Sequence, residues 1–375
     1  MRRWRLVAAA AALMLAVAGC GGGSDEDTAG AGSEAAGASE TAAPDLAKAG
    51  EQARQYKTMG MPDDWINFGA FFTALCQEHG WDCTGKGTGP NRFDTDASSA
   101  EEIAEFNKRA PDGPVMADIG IAFGQVAERE GVTLQYQAKG ADQLPPGFRE
   151  EDGGWVASAV GTVAFTVNND VVKNPPKTWD DLLKPEYKGQ ISMSDPTTSG
   201  TGQATVFSVA WAKGGGQIDL DAAIDYFRKL QTSGNLSSGE YSAATMEKGE
   251  TPIRLQYDFV GLIQAAEIKK KGVNVTVQVP TDGGVWAPSA LMPNKFSDKP
   301  DLAKAILDFN LTDRGQLVYA EFGARPVRFV TGDLEVPAEY RRNWLPDSQY
   351  QKMGTVESWP DPGELADRWE NEVLS

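Results

Sequence analysis

Apolar positions fall into three rhythms along the chain. Over residues 6–17 they are almost continuous, behind Arg2, Arg3 and Arg5. Over residues 21 to about 45 the chain is Gly, Ala, Ser, Glu and Thr without a period, the pattern of a flexible tether. Beyond that, strand-like and helix-like stretches alternate. Residues 55–59 predict a first strand, and Phe68, Phe71, Phe72 and Leu75 share one helical face. Trp65 and Asn67 sit at the switch between the two, where open α/β sheets collect ligands. Residues 115–120 predict a buried strand, with Asp118 at its carboxyl end, where it either faces a ligand or, as the safer reading, caps the next helix. The β-rich run 154–168 is longer than a typical strand, which predicts one strand crossing between two domains. Residues 190–193 alternate. A helical face of Phe207, Ala210 and Trp211 follows and stops at glycines 214–216. A strand over 252–258, a helix over 262–271, a strand over 273–279 and a helix over 302–309 complete the alternation. The last forty residues, rich in Trp, Pro and Glu, predict a helical segment packed on the first domain.

The chain is organised around Ser194-Asp195-Pro196-Thr197-Thr198-Ser199-Gly200-Thr201-Gly202-Gln203. A strand, a turn of hydroxyls and glycines, and a helix follow one another there. The first helical turn leaves backbone N–H groups unpaired at the positive end of the macrodipole. Gly200 lets a ligand approach the backbone, while Thr197, Thr198, Ser199 and Thr201 add hydroxyls. Such a turn suits a small anion, though it also suits a well-capped helix that binds nothing. A second hydroxyl-rich helix start lies at Ser98 and Ser99. Two overlapping capping boxes, Ser98 with Glu101 and Ser99 with Glu102, mark it.

The chain has 375 residues with a net charge of -18. Without the first 19 residues, 32 basic side chains face 53 acidic ones. No basic stripe is present to neutralise phosphates, so nucleic acid is not an expected partner. Residues 1–19 read as a secretory signal, ending Val17-Ala18-Gly19-Cys20. That ending resembles the bacterial lipoprotein box, in which the cysteine becomes the lipid-modified first residue. Residues 20–48 are then the tether. The remaining cysteines, Cys76 and Cys83, are expected to form a disulfide outside the cytoplasm. Two thiols beside the single histidine, His79, do not close a zinc shell, so no metal and no cofactor is expected. No Ser-His-Asp arrangement is available. A secreted carboxylate-dependent hydrolase is the alternative of another class.

Phe165-Thr166-Val167-Asn168, then Pro176-Lys177-Thr178-Trp179-Asp180-Asp181-Leu182-Leu183, then Pro185-Glu186-Tyr187-Lys188-Gly189, then the turn 195–202 carry a resemblance. In order and spacing they resemble the extracellular solute-binding proteins of ABC importers, in the subgroup of ferric-iron, thiamine, polyamine and 2-aminoethylphosphonate binders. The resemblance covers roughly residues 50–345. It implies an α/β, two-lobed type 2 periplasmic-binding-protein fold with two crossing hinge strands. Lobe one would be residues 49–158 with 286–375, and lobe two residues 159–285. It implies a binding protein rather than an enzyme, working as a monomer. The protein would be lipid-anchored outside the cytoplasmic membrane and would deliver a small polar solute to an ABC permease.

In that fold the two hydroxyl-rich helix starts face one another across a cleft. An anionic or zwitterionic solute, phosphonate- or phosphate-like, would fit between them. Tyr257 and Asp258, with Trp65 and Trp286, would surround a cationic end. Polyamine, thiamine and ferric iron are the alternatives within the fold. Iron fits less well, since none of the nine tyrosines is adjacent to another.

Overall fold

The structure is a computed structural model that describes residues 42–82, 91–237, 239 and 241–375. The signal segment, Cys20, most of the tether and Cys83 lie outside the described residues. Chain order begins α1 (Leu46–Gln52), β1 (Tyr56–Met59), α2 (Phe68–His79), β2 (Arg92–Thr95), α3 (Ser99–Phe106), β3 (Met116–Gly120), α4 (Gly124–Glu130), β4 (Val156–Gly161). It continues β5 (Val163–Asn168), β6 (Ile191–Ser192), α5 (Gly200–Lys213), α6 (Leu220–Thr232), α7 (Ala243–Lys248), β7 (Ile253–Tyr257), α8 (Asp258–Lys270), β8 (Val275–Gln278) and β9 (Gly284–Val285). It ends β10 (Ala287–Pro293), α9 (Pro300–Asn310), α10 (Asp313–Phe322), β11 (Arg325–Pro326), α11 (Val327–Val330), α12 (Ala338–Arg341), β12 (Met353–Gly354) and α13 (Pro362–Arg368).

Two main sheets organise these elements. One has the order β11-β4-β10-β3-β1-β2, the other β6-β7-β5-β8. β2, β1 and β3 are parallel, whereas β10 runs antiparallel between β3 and β4. Every residue of β4, β5 and β10 is buried, as expected of strands covered on both faces. The phenylalanine face of α2 packs where its spacing directs it. Phe71 stacks on Tyr319 with centroids 5.6 Å apart, and Phe68 meets the same ring edge-on.

The β-rich run 154–168 is two strands rather than one. β4 belongs to the first sheet and β5 to the second, with Thr162 alone between them. The chain returns through β9 and Trp286 into β10. The sheets are therefore linked by two short crossings. The strand 252–258 passes directly into a helix, which starts at Asp258 rather than at Leu262.

The C-terminal segment departs from expectation. It was expected to pack on the first lobe, yet besides α4 and the Gly147 loop it contacts β9 and the helices α5 and α6 that follow β6. β12 pairs with β9, and Trp369 meets Phe227 of α6 at 5.2 Å. Arg228 of α6 pairs with Glu372 at 2.9 Å, and Arg368 with Asp221 at 2.8 Å. Trp359 lies 5.7 Å from Phe207 of α5 while its indole N–H donates to the Gly147 carbonyl at 3.3 Å. Arg129 of α4 pairs with Asp361. Composition flags a tryptophan as a buried anchor but says nothing about which surface receives it.

Candidate functional site

The α5 turn meets the first sheet at a pocket of about 200 Å³. Trp65, Ser98, Ser99, Ser199, Gly200, Thr201 and Tyr257 line it, together with Gly60, Asp96, Asp118, Gly120 and Ser289. Sequence reasoning named the first seven. The two helix starts thus border one cavity. Ser199 is the N-cap of α5, its hydroxyl accepting from the Gly202 N–H at 3.4 Å. The amides of Gly200 and Thr201 find no acceptor among the described residues. Across the gap the Ala100 N–H donates to the Thr198 carbonyl at 3.4 Å. Gly120 and Gly200 approach so closely that a Cβ on either would overlap the other's Cα. Only glycine permits that contact.

Of the two capping boxes, one forms. Ser98 is the N-cap of α3, and the Glu101 carboxylate accepts from its N–H at 2.9 Å and its hydroxyl at 2.8 Å. Ser99 is consequently inside the first turn, and its hydroxyl accepts from the Gly120 N–H at 2.9 Å. Glu102, the partner expected for Ser99, turns inward. It is fully buried against Gly60, and neither carboxylate oxygen has a hydrogen-bond partner.

Asp118 is not a helix cap. Its Oδ2 accepts from the Trp65 indole N–H at 2.7 Å and from the Ser289 hydroxyl at 3.1 Å. Its Oδ1 is buried without a partner beside the pocket. Burial pushes its pKa up to about 7, against the pull of those two hydrogen bonds. Burial also raises Glu102 well above the usual carboxylate range, and the charges of Asp118, Asp94 and Asp96 add to it. Arg92 is committed nearby to Asp63 and Asp94. Among the described residues no lysine, arginine or histidine lines the pocket. Tyr257 completes the wall, stacked on Phe259 at 5.5 Å, with Trp65 tilted against both rings.

Five expected site residues lie elsewhere. Asn67 takes a left-handed backbone, and its side chain donates to the Val318 carbonyl at 2.9 Å. Thr197 turns its hydroxyl onto Asp195 at 2.7 Å. Thr198 contributes only its carbonyl. Asp258 and Trp286 do surround a cation, but it is the protein's own. Arg325 pairs with Asp258 at 2.9 Å, with both side chains buried. Tyr350 donates to the same carboxylate at 2.6 Å. The Arg325 guanidinium lies 3.8 Å from the Tyr350 ring centroid, 4.7 Å from Trp344 and 5.8 Å from Trp286. Asp258 also accepts from the Thr162 N–H at 3.2 Å. This knot holds the first crossing in place and offers no countercharge to a guest. Sequence reasoning missed Arg325, because nothing local ties it to a residue 67 positions away.

Over residues 116–351 the sequence matches the family described as bacterial extracellular solute-binding protein. The chain belongs to that family. It is 25% identical over 259 residues to an uncharacterized protein of Haemophilus influenzae, covering 65% of this chain and 71% of that one. It is 27% identical over 160 residues to the spermidine/putrescine-binding periplasmic protein of Escherichia coli, covering 40% of this chain and 42% of that one. Among solved structures it is similar to AfuA from Actinobacillus pleuropneumoniae with fructose-6-phosphate bound. The TM-score is 0.68 at 19% identity, over 86% of this chain and 98% of AfuA. Iron-bound HitA from Pseudomonas aeruginosa gives 0.63 at 16%, over 84% and 98%. The fold is accordingly the two-lobed one of type 2 periplasmic binding proteins. The family's members are binding proteins, and this chain is the substrate-binding component of an ABC importer, with a small-molecule ligand and a permease as partners. Among the described residues no helix is long and apolar enough to cross a membrane.

Proposed function

We propose that the protein captures a small zwitterion, with an oxyanion at the α3 and α5 N-termini and an ammonium at Asp118. The observation that carries this reading is one pocket lined by two unlike kinds of group. The Gly200 and Thr201 amides and the serine hydroxyls line it together with Asp118, whose Oδ1 has no partner, and no cationic side chain among the described residues lines it. A purely anionic guest would leave Asp118 Oδ1 and both Glu102 oxygens without a donor. A buried polar atom without a partner is costly. A pure polyamine would leave the amides unused. AfuA holds a phosphate ester and the Escherichia coli relative binds polyamines, one for each kind of group. Each charge-assisted hydrogen bond is worth about 1.5–3 kcal/mol. A few of them, less the cost of ordering the guest, reach micromolar affinity.

A thermal-shift series tests the reading. 2-Aminoethylphosphonate should stabilise more than ethylphosphonate or 1,2-diaminoethane at equal concentration. A larger shift with either one-ended compound overturns it. We further propose lipidation at Cys20, a Cys76–Cys83 disulfide, a monomeric state, and two lobes whose first boundary lies at Thr162 rather than at 158, because β4 runs to Gly161 within the first sheet. Loss of membrane association in Cys20→Ser, and an unreduced Cys76–Cys83 peptide in mass spectrometry, are the expected results.

A further inference from the structure

Arg254 of β7 is half-buried, and its surroundings differ from those of the buried guanidiniums Arg325 and Arg92. Arg325 is matched by Asp258, and Arg92 by Asp63 and Asp94. Arg254 has no carboxylate within ion-pair distance among the described residues. Its Nη2 donates to the Ser194 hydroxyl at 2.7 Å. Its Nε is buried with no partner, and Nη1 makes no hydrogen bond among the described residues. The Tyr241 ring lies 4.4 Å from the guanidinium carbon and fixes its plane. Tyr241 is itself held by Gln264, which also accepts from the Gln256 amide at 3.0 Å. Burial disfavours the charge, and only Tyr241 offsets it.

A planar cation held by a ring and a hydroxyl, with donors left over, is built to receive an oxyanion on its open edge. Ser194 contributes its hydroxyl from the strand-to-helix turn, and Arg254 its fork from the neighbouring strand, paired in register at Ser192 and Arg254. We propose that Arg254, Ser194 and Tyr241 form a second binding site, for the carboxylate or phosphate of a small molecule. None of the three lines the pocket between the helix starts, so the site does not depend on what that pocket holds. Glu240 lies next to Tyr241 in the sequence but outside the described residues. The experiment therefore includes a variant at that position.

The test is phenylglyoxal modification of the whole protein, with the modified arginines mapped by mass spectrometry. Inorganic phosphate and acetate are the probes. Arg254 should react in their absence. Millimolar phosphate or acetate should slow its modification at least about fivefold, leaving Arg314 and Arg341 unchanged. The protection should persist in Ser199→Ala/Thr201→Ala, which weakens the main pocket alone. In Arg254→Lys, phosphate bound by calorimetry at this second site should weaken at least about tenfold. Ser194→Ala, which keeps the guanidinium, should weaken it about threefold. No protection by either anion overturns the proposal. So does protection that disappears with the pocket variant. Arg254 reactivity that rises only in Glu240→Gln overturns it as well, since the chain's own carboxylate would then be the occupant. Protection by phosphate but not acetate, or the reverse, keeps the site and names its source.

Discussion

Two buried carboxylates about equally hidden from water have opposite surroundings. At the first crossing, Asp258 receives Arg325, Tyr350 and the Thr162 amide. In the pocket, Asp118 receives Trp65 and Ser289 on one oxygen and nothing on the other, with fully unpartnered Glu102 nearby. A protein that lacks counterions altogether would leave both alike. The chain supplies a cation to the acid at the crossing and, among the described residues, none to the acid in the pocket, as the proposed capture of a cationic group there requires. A buried acid is informative about binding only when its unmet demand faces a cavity.

The sharpest way to break the contrast is to unpair the satisfied acid. Arg325→Met should destabilise by about 3–5 kcal/mol, since it strands a buried charge, and urea denaturation should show it. Adding Asp258→Asn should recover part of that loss. Glu102→Gln should do the opposite and stabilise the empty protein at neutral pH. A loss in both single variants would erase the distinction.

Acidity sharpens it further. The unfolded chain loses the Asp118 proton near its ordinary value of 3.8, whereas the native protein keeps it up to about pH 7. The native state binds more protons through that window, so stability of the empty protein should fall as pH rises from about 4 to about 7. The Asp118 share is at most about 4 kcal/mol. Asp118→Asn should shrink the slope, and Glu102→Gln should shrink it again. Affinity for an ammonium-bearing ligand should rise across the same window. A flat thermal-denaturation profile from pH 4 to 8 would contradict this.

Smaller effects concern the glycines and hydroxyls of the pocket. Gly120→Ala should prop the two sheets apart and cost about 1–3 kcal/mol, seen as a larger radius in small-angle scattering of the ligand complex. Ser199→Ala/Thr201→Ala should weaken the oxyanion by about tenfold, about 1.4 kcal/mol. It should leave 1,2-diaminoethane unaffected.

The order of strands and helices was legible because period and glycine punctuation are local. So was the α5 turn, whose hydroxyls and glycines follow one another. Ser98 was legible as a cap, but the sequence shows two overlapping boxes, and only packing selects one. That choice frees Glu102, which no pattern reveals. Asp118 looked like a cap because an acid before a helix usually is one. Its true partners, Trp65 and Ser289, lie 53 and 171 residues away. Asp258 and Trp286 were expected around the cationic end of a ligand, but they lie around Arg325, a contact that only the folded chain makes.

Two crossings at Thr162 and Trp286 define a line about which the two sheets can swing, as a door does on a pair of pins. The segment carrying Trp359, Asp361, Trp369 and Glu372 fastens to α4 and the Gly147 loop on one side and to α5 and α6 on the other. A door fastened also by a chain has one fewer freedom. To swing wide, it must let one end of that chain slip.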